Sequence, residues 1–311
     1  MSKNRPAAQG VPPGWLRLDA LVRQSSGEPW SRVRRLIETG KVRVGGRVIT
    51  DAASPVAPDQ PIEIVAHAPR PASRNRLASD AIALVDDQLV VVRKPAGLSA
   101  VPFEPGERGT LHELVRAWLN RTAAHRGDRA TGELGIVHRI DKDTSGLLVF
   151  TRTLAAKRHL AQQFRFHTVE RIYLAIVHGQ LAKTTFRSRI ARDRGDGLRG
   201  STRDPSLGQQ AVTHVTPLES LQGATLVECR LETGRTHQIR IHLSEAGHPL
   251  VGEKVYVRGF EGPRLPAPRL MLHAAVLGFE HPSRHHQVRL EEPMPQDMLS
   301  VLAALRTKEP R

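Results

Sequence analysis

Apolar and polar positions along the chain fall into three regimes. Residues 1–14 mix Pro, Gly and Ala with polar residues and show no apolar period, so a disordered leader is expected there. From Trp30 the pattern turns helical, with Val33, Leu36 and Ile37 at i, i+3 and i+4, Ser31 placed to cap the helix and Gly40 to end it. KVRVGGRVIT then alternates apolar and basic positions around Gly45-Gly46, which predicts a hairpin, and PIEIV adds a short strand. These segments delimit a small α/β unit over residues 15–67. The Pro- and Arg-rich stretch that follows predicts a linker at 68–79.

Residues 80–311 read as one α+β domain built on a mixed, mainly antiparallel sheet. IALV and LVVVR are strands on either side of Asp86-Asp87. LHELVRAWL places Leu111, Leu114, Val115, Trp118 and Leu119 on one helical face, with Thr110 and Glu113 forming a capping box. Ala156, Leu160 and Phe164 predict a helix after Thr153. RIYLAIVHG, AVTHVTPL and ATLVECRLE are strands, and the Gly- and Arg-rich RDRGDGLRGSTRDP between them reads as a mobile loop. THQIRIHLSEAG predicts a helix closing at Gly247, and Met298, Leu302 and Leu305 a final helix.

Charge sharpens this outline. The 311 residues hold 46 Lys+Arg against 31 Asp+Glu, a formal +15, which favours a polyanionic partner. Arg32, Arg34, Arg35, Lys41, Arg43 and Arg47 crowd residues 31–47 of the small unit, a stretch with Glu38 as its one acid, and six more arginines fall within 187–203. A single cysteine forbids an internal disulfide and a cysteine-rich zinc site. No apolar run approaches the ~20 residues of a membrane span, and the N-terminus lacks a signal peptide's apolar core. A cytoplasmic protein is expected.

The stretch with most chemistry is GIVHRIDKDTSGLLVF, residues 135–150, read as a polar turn between two buried strands. Asp141 and Asp143 invite three readings. A calcium loop fails because Arg152 stands at the twelfth position. A phosphatase of the Asp-x-Asp type requires an uninterrupted apolar strand, which His138-Arg139 breaks. A plain turn with Asp and Thr capping backbone groups remains open. The histidines suggest metal, yet His237 and His242 do not share a helical face. They and His285-His286 are read as RNA contacts or neutral surface. Cys229 is read as a buried filler.

HRIDKDTSGLLVF resembles the signature of the RluA-type pseudouridine synthases. KPAGL (94–98), RIYLAIVHG (171–179), LETGRTHQIRIHLSEAGHPLVGEKVY (231–256) and LMLHAAVLGFEHP (270–282) agree with that family in the same order. The small unit is similar to the S-four-type (alpha-L) RNA-binding domain, with Gly45-Gly46 where Asn-Gly is usual and Pro58-Asp59 where Gly-Asp is common. The resemblance implies an isomerase that detaches uracil from the ribose anomeric carbon, turns it and rejoins it through carbon 5. It implies no cofactor and no metal. By resemblance Asp141 is the catalytic carboxylate, acting by addition to the anomeric carbon or by removing the adjacent ribose proton.

Arg240 matches the basic partner that keeps that carboxylate ionised, its alternative being a surface arginine. Tyr173 matches the tyrosine that packs on uracil and takes the carbon 5 proton, its alternative being a core tyrosine. The uridine must leave the RNA stack, and Arg139 matches the residue that fills the vacated space. Arg235 is expected on phosphate, and Leu272 either as a floor beneath the base or as ordinary core. The resemblance points to large-subunit ribosomal RNA as substrate and to a monomeric enzyme. Transfer RNA, or a non-catalytic ribosome-assembly role, is the alternative.

Overall fold

The computed structural model describes residues 16–50, 52, 54–57, 60–68, 77–103, 107–126 and 132–306. The expected leader and positions 69–76 of the expected linker lie outside the described residues, as does the side chain of Arg47. The chain divides into two compact units between Arg76 and Leu77.

The first unit holds β1 (Leu16–Arg17), α1 (Leu18–Ser26), α2 (Trp30–Glu38), β2 (Val42–Val44), β3 (Arg47–Val48), β4 (Pro55–Val56) and β5 (Ile62–Ile64). β2 pairs antiparallel with β3 and β5, and β1 with β4. The hairpin forms as expected: Val44 faces Arg47, and Gly45 and Gly46 both take positive φ, 55° and 78°, as a two-residue primed turn demands. Two expectations need correction. Helix α1 went unread, although Leu18 and Val22 are fully buried against Val33 and Ile37. Ser31 lies inside α2 rather than capping it; Pro29 is the N-cap, its φ of −60° already set for helix entry.

The second unit holds β6 (Ile82–Val85), β7 (Leu89–Lys94), α3 (Leu111–Arg126), β8 (Gly135–Ile136), β9 (Ser145–Thr151), α4 (Leu154–Arg165), β10 (Glu170–His178) and β11 (Thr184–Ala191). Then come β12 (Gly200–Thr202), β13 (Gln209–Leu221), β14 (Ala224–Leu231), α5 (Gln238–Glu245), β15 (Leu272–Glu280), β16 (Gln287–Glu291) and α6 (Gln296–Leu305). One sheet runs in the order β12-β11-β13-β14-β10-β15-β9-β7-β6, with β16 beside β15 and β8 beside β9. Every pairing is antiparallel except β15 with β9, which touch in parallel at His273↔Ser145 and Ala274↔Gly146.

β9 is an uninterrupted apolar run because both of its faces are covered. Leu148 and Phe150 pack in the cluster of Val90, Val92 and α3, while Leu147 and Val149 pack with Leu89, Val91 and Leu160 of α4. Thr153 caps α4 by accepting from the Ala156 N–H at 3.1 Å. The box at α3 is shifted: Thr110 accepts from the Glu113 N–H, but the Glu113 carboxylate takes the N–H of Gly109 rather than that of Thr110.

The Arg-rich segment is also different from its reading as a loop. Residues 187–191 belong to β11 and 200–202 to β12, and Asp193 and Asp196 accept backbone N–H groups in the bend between them. The strand expected before Asp141 is short. β8 ends at Ile136, and residues 137–140 run without regular structure.

Candidate active site

Asp141 stands in the loop between β8 and β9, four residues before β9 begins at Ser145. Two buried groups hold this loop from below. Lys94, at the end of β7, is 2% exposed and donates to the carbonyls of Pro95 (2.9 Å), Leu98 (2.8 Å) and Lys142 (2.7 Å). Three acceptors match the three N–H bonds of an ammonium. Burial nonetheless pulls Lys94 down to about 7, against the attraction of Asp141 and Asp143. Behind the loop, Gly146 has φ 115°, and a Cβ there would lie 2.2 Å from the Ala274 carbonyl oxygen on β15. Only glycine permits that approach.

The wall opposite Asp141 comes from the segment between β14 and α5. Gln238, 2% exposed, ties it down with every polar atom in use. Its carbonyl oxygen accepts from Thr233 Oγ1 and the Arg235 N–H, and its amide donates to the Val212 carbonyl and Thr213 Oγ1. The chain turns into α5 at His237 with φ 60°. The helix therefore begins at Gln238, and Thr236, expected within it, precedes it. Arg240 still points inward, with a side-chain exposure of 11%.

Arg240 reaches Asp141 as expected, but its nearer partner is Glu253. Its Nε and Nη2 each donate to Glu253 at 2.7 Å, whereas Nη1 reaches Asp141 Oδ2 at 3.5 Å. Glu253 is fully enclosed, and its Oε1 also accepts the N–H groups of Lys254, Val255 and Tyr256. Burial opposes its ionisation, but the bonds and charge of Arg240, with those backbone donors, outweigh it and hold the carboxyl below its ordinary range. The guanidinium charge is thus matched by Glu253 before it meets Asp141, which receives one long N–H contact. Tyr256 lies under Arg240, 5.2 Å from ring centre to guanidinium, and bonds His237 Nδ1 at 2.8 Å through its hydroxyl. His237 Nε2 is 3.9 Å from Asp141 Oδ2.

Six residues named from sequence line one cavity of about 510 Å³: Arg139, Asp141, Tyr173, Arg235, Arg240 and Leu272. They come from the β8–β9 loop, β10, the β14–α5 segment, α5 and β15. Tyr173 projects with Ala175 and Val177 away from Leu174 and Ile176, as strand alternation requires. Burial first, then the charge of Asp141, pushes its hydroxyl up to about 12 despite Arg171. Leu272 is 3% exposed, and Arg139 is exposed at the rim, donating to Thr236 Oγ1 at 3.1 Å. Arg235 donates to the Gln210 carbonyl through Nε. An adjoining cavity of about 720 Å³ shares Arg139, Asp141, His237 and Arg240.

A scan of family descriptions matches RNA pseudouridylate synthase over residues 88–245 and the S4 domain over 16–62. An uncharacterized RNA pseudouridine synthase of Bacillus subtilis (strain 168) is 37% identical over 300 residues, 93% of this chain and 94% of its own. The chain belongs to the RNA pseudouridine synthase family. Ribosomal large subunit pseudouridine synthase D of Zymomonas mobilis is 38% identical, covering 92% of each chain. The enzyme of that name from Pseudomonas aeruginosa is 36% identical, covering 94% of this chain and 93% of its own. The solved human RNA pseudouridylate synthase domain containing 4 shares the fold, with a TM-score of 0.58 at 24% identity, over 74% of this chain and 95% of that one.

Glu253, Lys94 and Tyr256 were not singled out from the synthase's sequence, and His237 was read there only as an RNA contact or neutral surface. Glu253 had no distinct signal, being one of three glutamates in the motif at 231–256. Lys94 had one, as a charge ending an apolar strand. His242 is corrected from surface to core: it is 3% exposed and bonds Ser188 and Thr213, and burial presses it to about 4. Cys229 is fully buried. In the S4 unit Arg34 and Arg35 are exposed on α2, Arg32 pairs with Glu28 at 3.1 Å, Lys41 donates to the Ala68 carbonyl and Arg43 is half-buried. Among the described residues no helix is long and apolar enough to cross a membrane.

Proposed function

We propose that this synthase isomerises uridines of large-subunit ribosomal RNA in the cytoplasm as a monomer, with Asp141 as its catalytic carboxylate. The observation that carries the residue roles is the convergence on one cavity of a half-buried carboxylate, an aromatic ring, an apolar floor and five arginines, Arg139, Arg235 and Arg240 among them. Ribosomal relatives spanning over nine-tenths of this chain support the choice of RNA. A flipped uridine enters between Tyr173 and Leu272, and Asp141 meets its ribose. Arg240, set by Glu253, orients the carboxylate with one N–H. Arg139 fills the gap the base leaves in the stack, and Arg235 with the exposed Arg34 and Arg35 takes phosphate. The isomerisation draws on no cofactor.

The test is pseudouridine mapping in ribosomal and transfer RNA from cells lacking the gene, complemented with wild type or Asp141→Ala. Loss of a large-subunit site, restored by wild type and not by the alanine variant, is the expected result. Loss confined to transfer RNA overturns the substrate, and full restoration by the variant overturns the role of Asp141.

A further inference from the structure

Away from the cavity, one group of metal-ligating side chains stands out among the described residues: His159 of α4, Glu280 at the end of β15, and His285 in the turn to β16. Their nearest ligand atoms lie within 4.8 Å of one another. His159 Nε2 is 3.3 Å and His285 Nδ1 3.0 Å from the same oxygen, Glu280 Oε1. A tetrahedral zinc ion with bonds of about 2.0–2.1 Å sets neighbouring donors roughly 3.3 Å apart. Two of the three separations are thus already near the length an ion needs, and only the two imidazoles must close on each other.

The frame around these atoms is fixed. Gln163, one helical turn after His159, donates to the Glu280 carbonyl at 2.9 Å and accepts the Glu280 N–H at 2.8 Å, clamping α4 to the end of β15. The turn bearing His285 is closed by backbone bonds from His285 to His281 and from His281 to His286. The neighbouring histidines are otherwise engaged: His281 bonds Asp86 at 2.8 Å, and His286 stacks on His281. Exposure rises from 24% at His159 to 39% at Glu280 and 69% at His285, so a fourth position faces solvent.

We propose that His159, Glu280 and His285 form a zinc site with water as fourth ligand. Two imidazoles and a carboxylate are the borderline donor set that zinc prefers over calcium or magnesium. None of the three lines the cavity, so the ion serves no step of the isomerisation. It ties α4, whose Phe164 and Arg165 line the cavity, to the β15–β16 turn.

The test uses the untagged full chain, stripped with chelator and titrated with zinc chloride against a chromophoric chelator, with thermal melts in parallel. The wild type should bind about one zinc per chain and melt higher with zinc. His159→Gln and His285→Gln should each bind at least ~10-fold more weakly and lose the shift, while melting like wild type without metal. His286→Gln should behave as wild type. Equal zinc uptake by the His159 and His285 variants, or no uptake by wild type, overturns the site and leaves two ordinary hydrogen bonds to Glu280.

Discussion

Replacing Glu253 by Gln separates the ion pair that sets Arg240 from the chemistry at Asp141. The carboxylate is 1% exposed and the guanidinium 11%, so the variant leaves a buried cation facing a neutral amide. Breaking a buried pair from one side costs about 3–5 kcal/mol. Gln keeps the shape and one acceptor oxygen, which places the loss at the lower end, about 3 kcal/mol. For a domain of this size that is a fall in Tm of roughly 6–12 °C.

Freed of its partner, Arg240 should swing onto Asp141, now 3.5 Å away, and occupy the oxygen that must meet the ribose. Turnover should fall roughly 10–100-fold, the usual cost of losing a group that orients another. Circular dichroism melts and pseudouridine formation on a transcript measure the two effects. The double variant with Arg240→Gln completes a cycle, and a coupling of about 2 kcal/mol or more is expected. A Tm change under about 3 °C, or additive losses, would refute the reasoning.

Three further outcomes follow from the geometry. Gly146→Ala should cost about 1–3 kcal/mol from the left-handed backbone alone, and more from the clash with Ala274. Unchanged melting and turnover would show that the strands separate freely. His138 accepts the Val149 N–H, and burial first, then Arg171, lowers it to about 3. The unfolded chain, near 6.5, binds the proton first, so this group's stability is whole above pH 6.5 and drains as pH falls toward 3, by a few kcal/mol at most. Urea titrations across that window should show a shallower slope in His138→Gln, and an identical slope would count against it. Alanine at both Arg34 and Arg35 should weaken RNA binding and reduce the slope of log K against log salt by about one to two, which filter binding at several salt concentrations reads directly.

The parts legible in the sequence were those whose signal is local. β9 showed as an apolar run because both faces are covered, and α4 by Thr153 and its spaced apolar residues. The Gly45-Gly46 hairpin showed because two positive φ values leave few other residues possible. Asp141, Tyr173 and Arg240 were found through ordered motifs rather than periodicity. What stayed hidden was pairing at a distance. Nothing near Arg240 says that its charge is spent on Glu253, or that Lys94 reaches the Lys142 carbonyl from another strand. Helix α1 is as long as α2 and places Leu18, Leu21 and Val22 at the same i, i+3 and i+4 spacing; it was missed because the charged Asp19 shares its buried side and blurs the apolar stripe. Residues 192–205 read as a loop because Gly, Arg and Asp dominate them, which hides the short β12 at Gly200–Thr202.

The parallel contact between β15 and β9 divides the sheet into two sets of antiparallel strands that meet along two residue pairs, reinforced by Ser145 Oγ and His273 Nδ1 at 2.9 Å. Asp141 enters from one set; Tyr173, Leu272 and Arg240 belong to the other. Neither set therefore holds all of the proposed site residues. Cut in the connection between α4 and β10, the two fragments should each be silent, and activity should return with the kinetics of their association, making this seam a natural place to put the enzyme under the control of proximity.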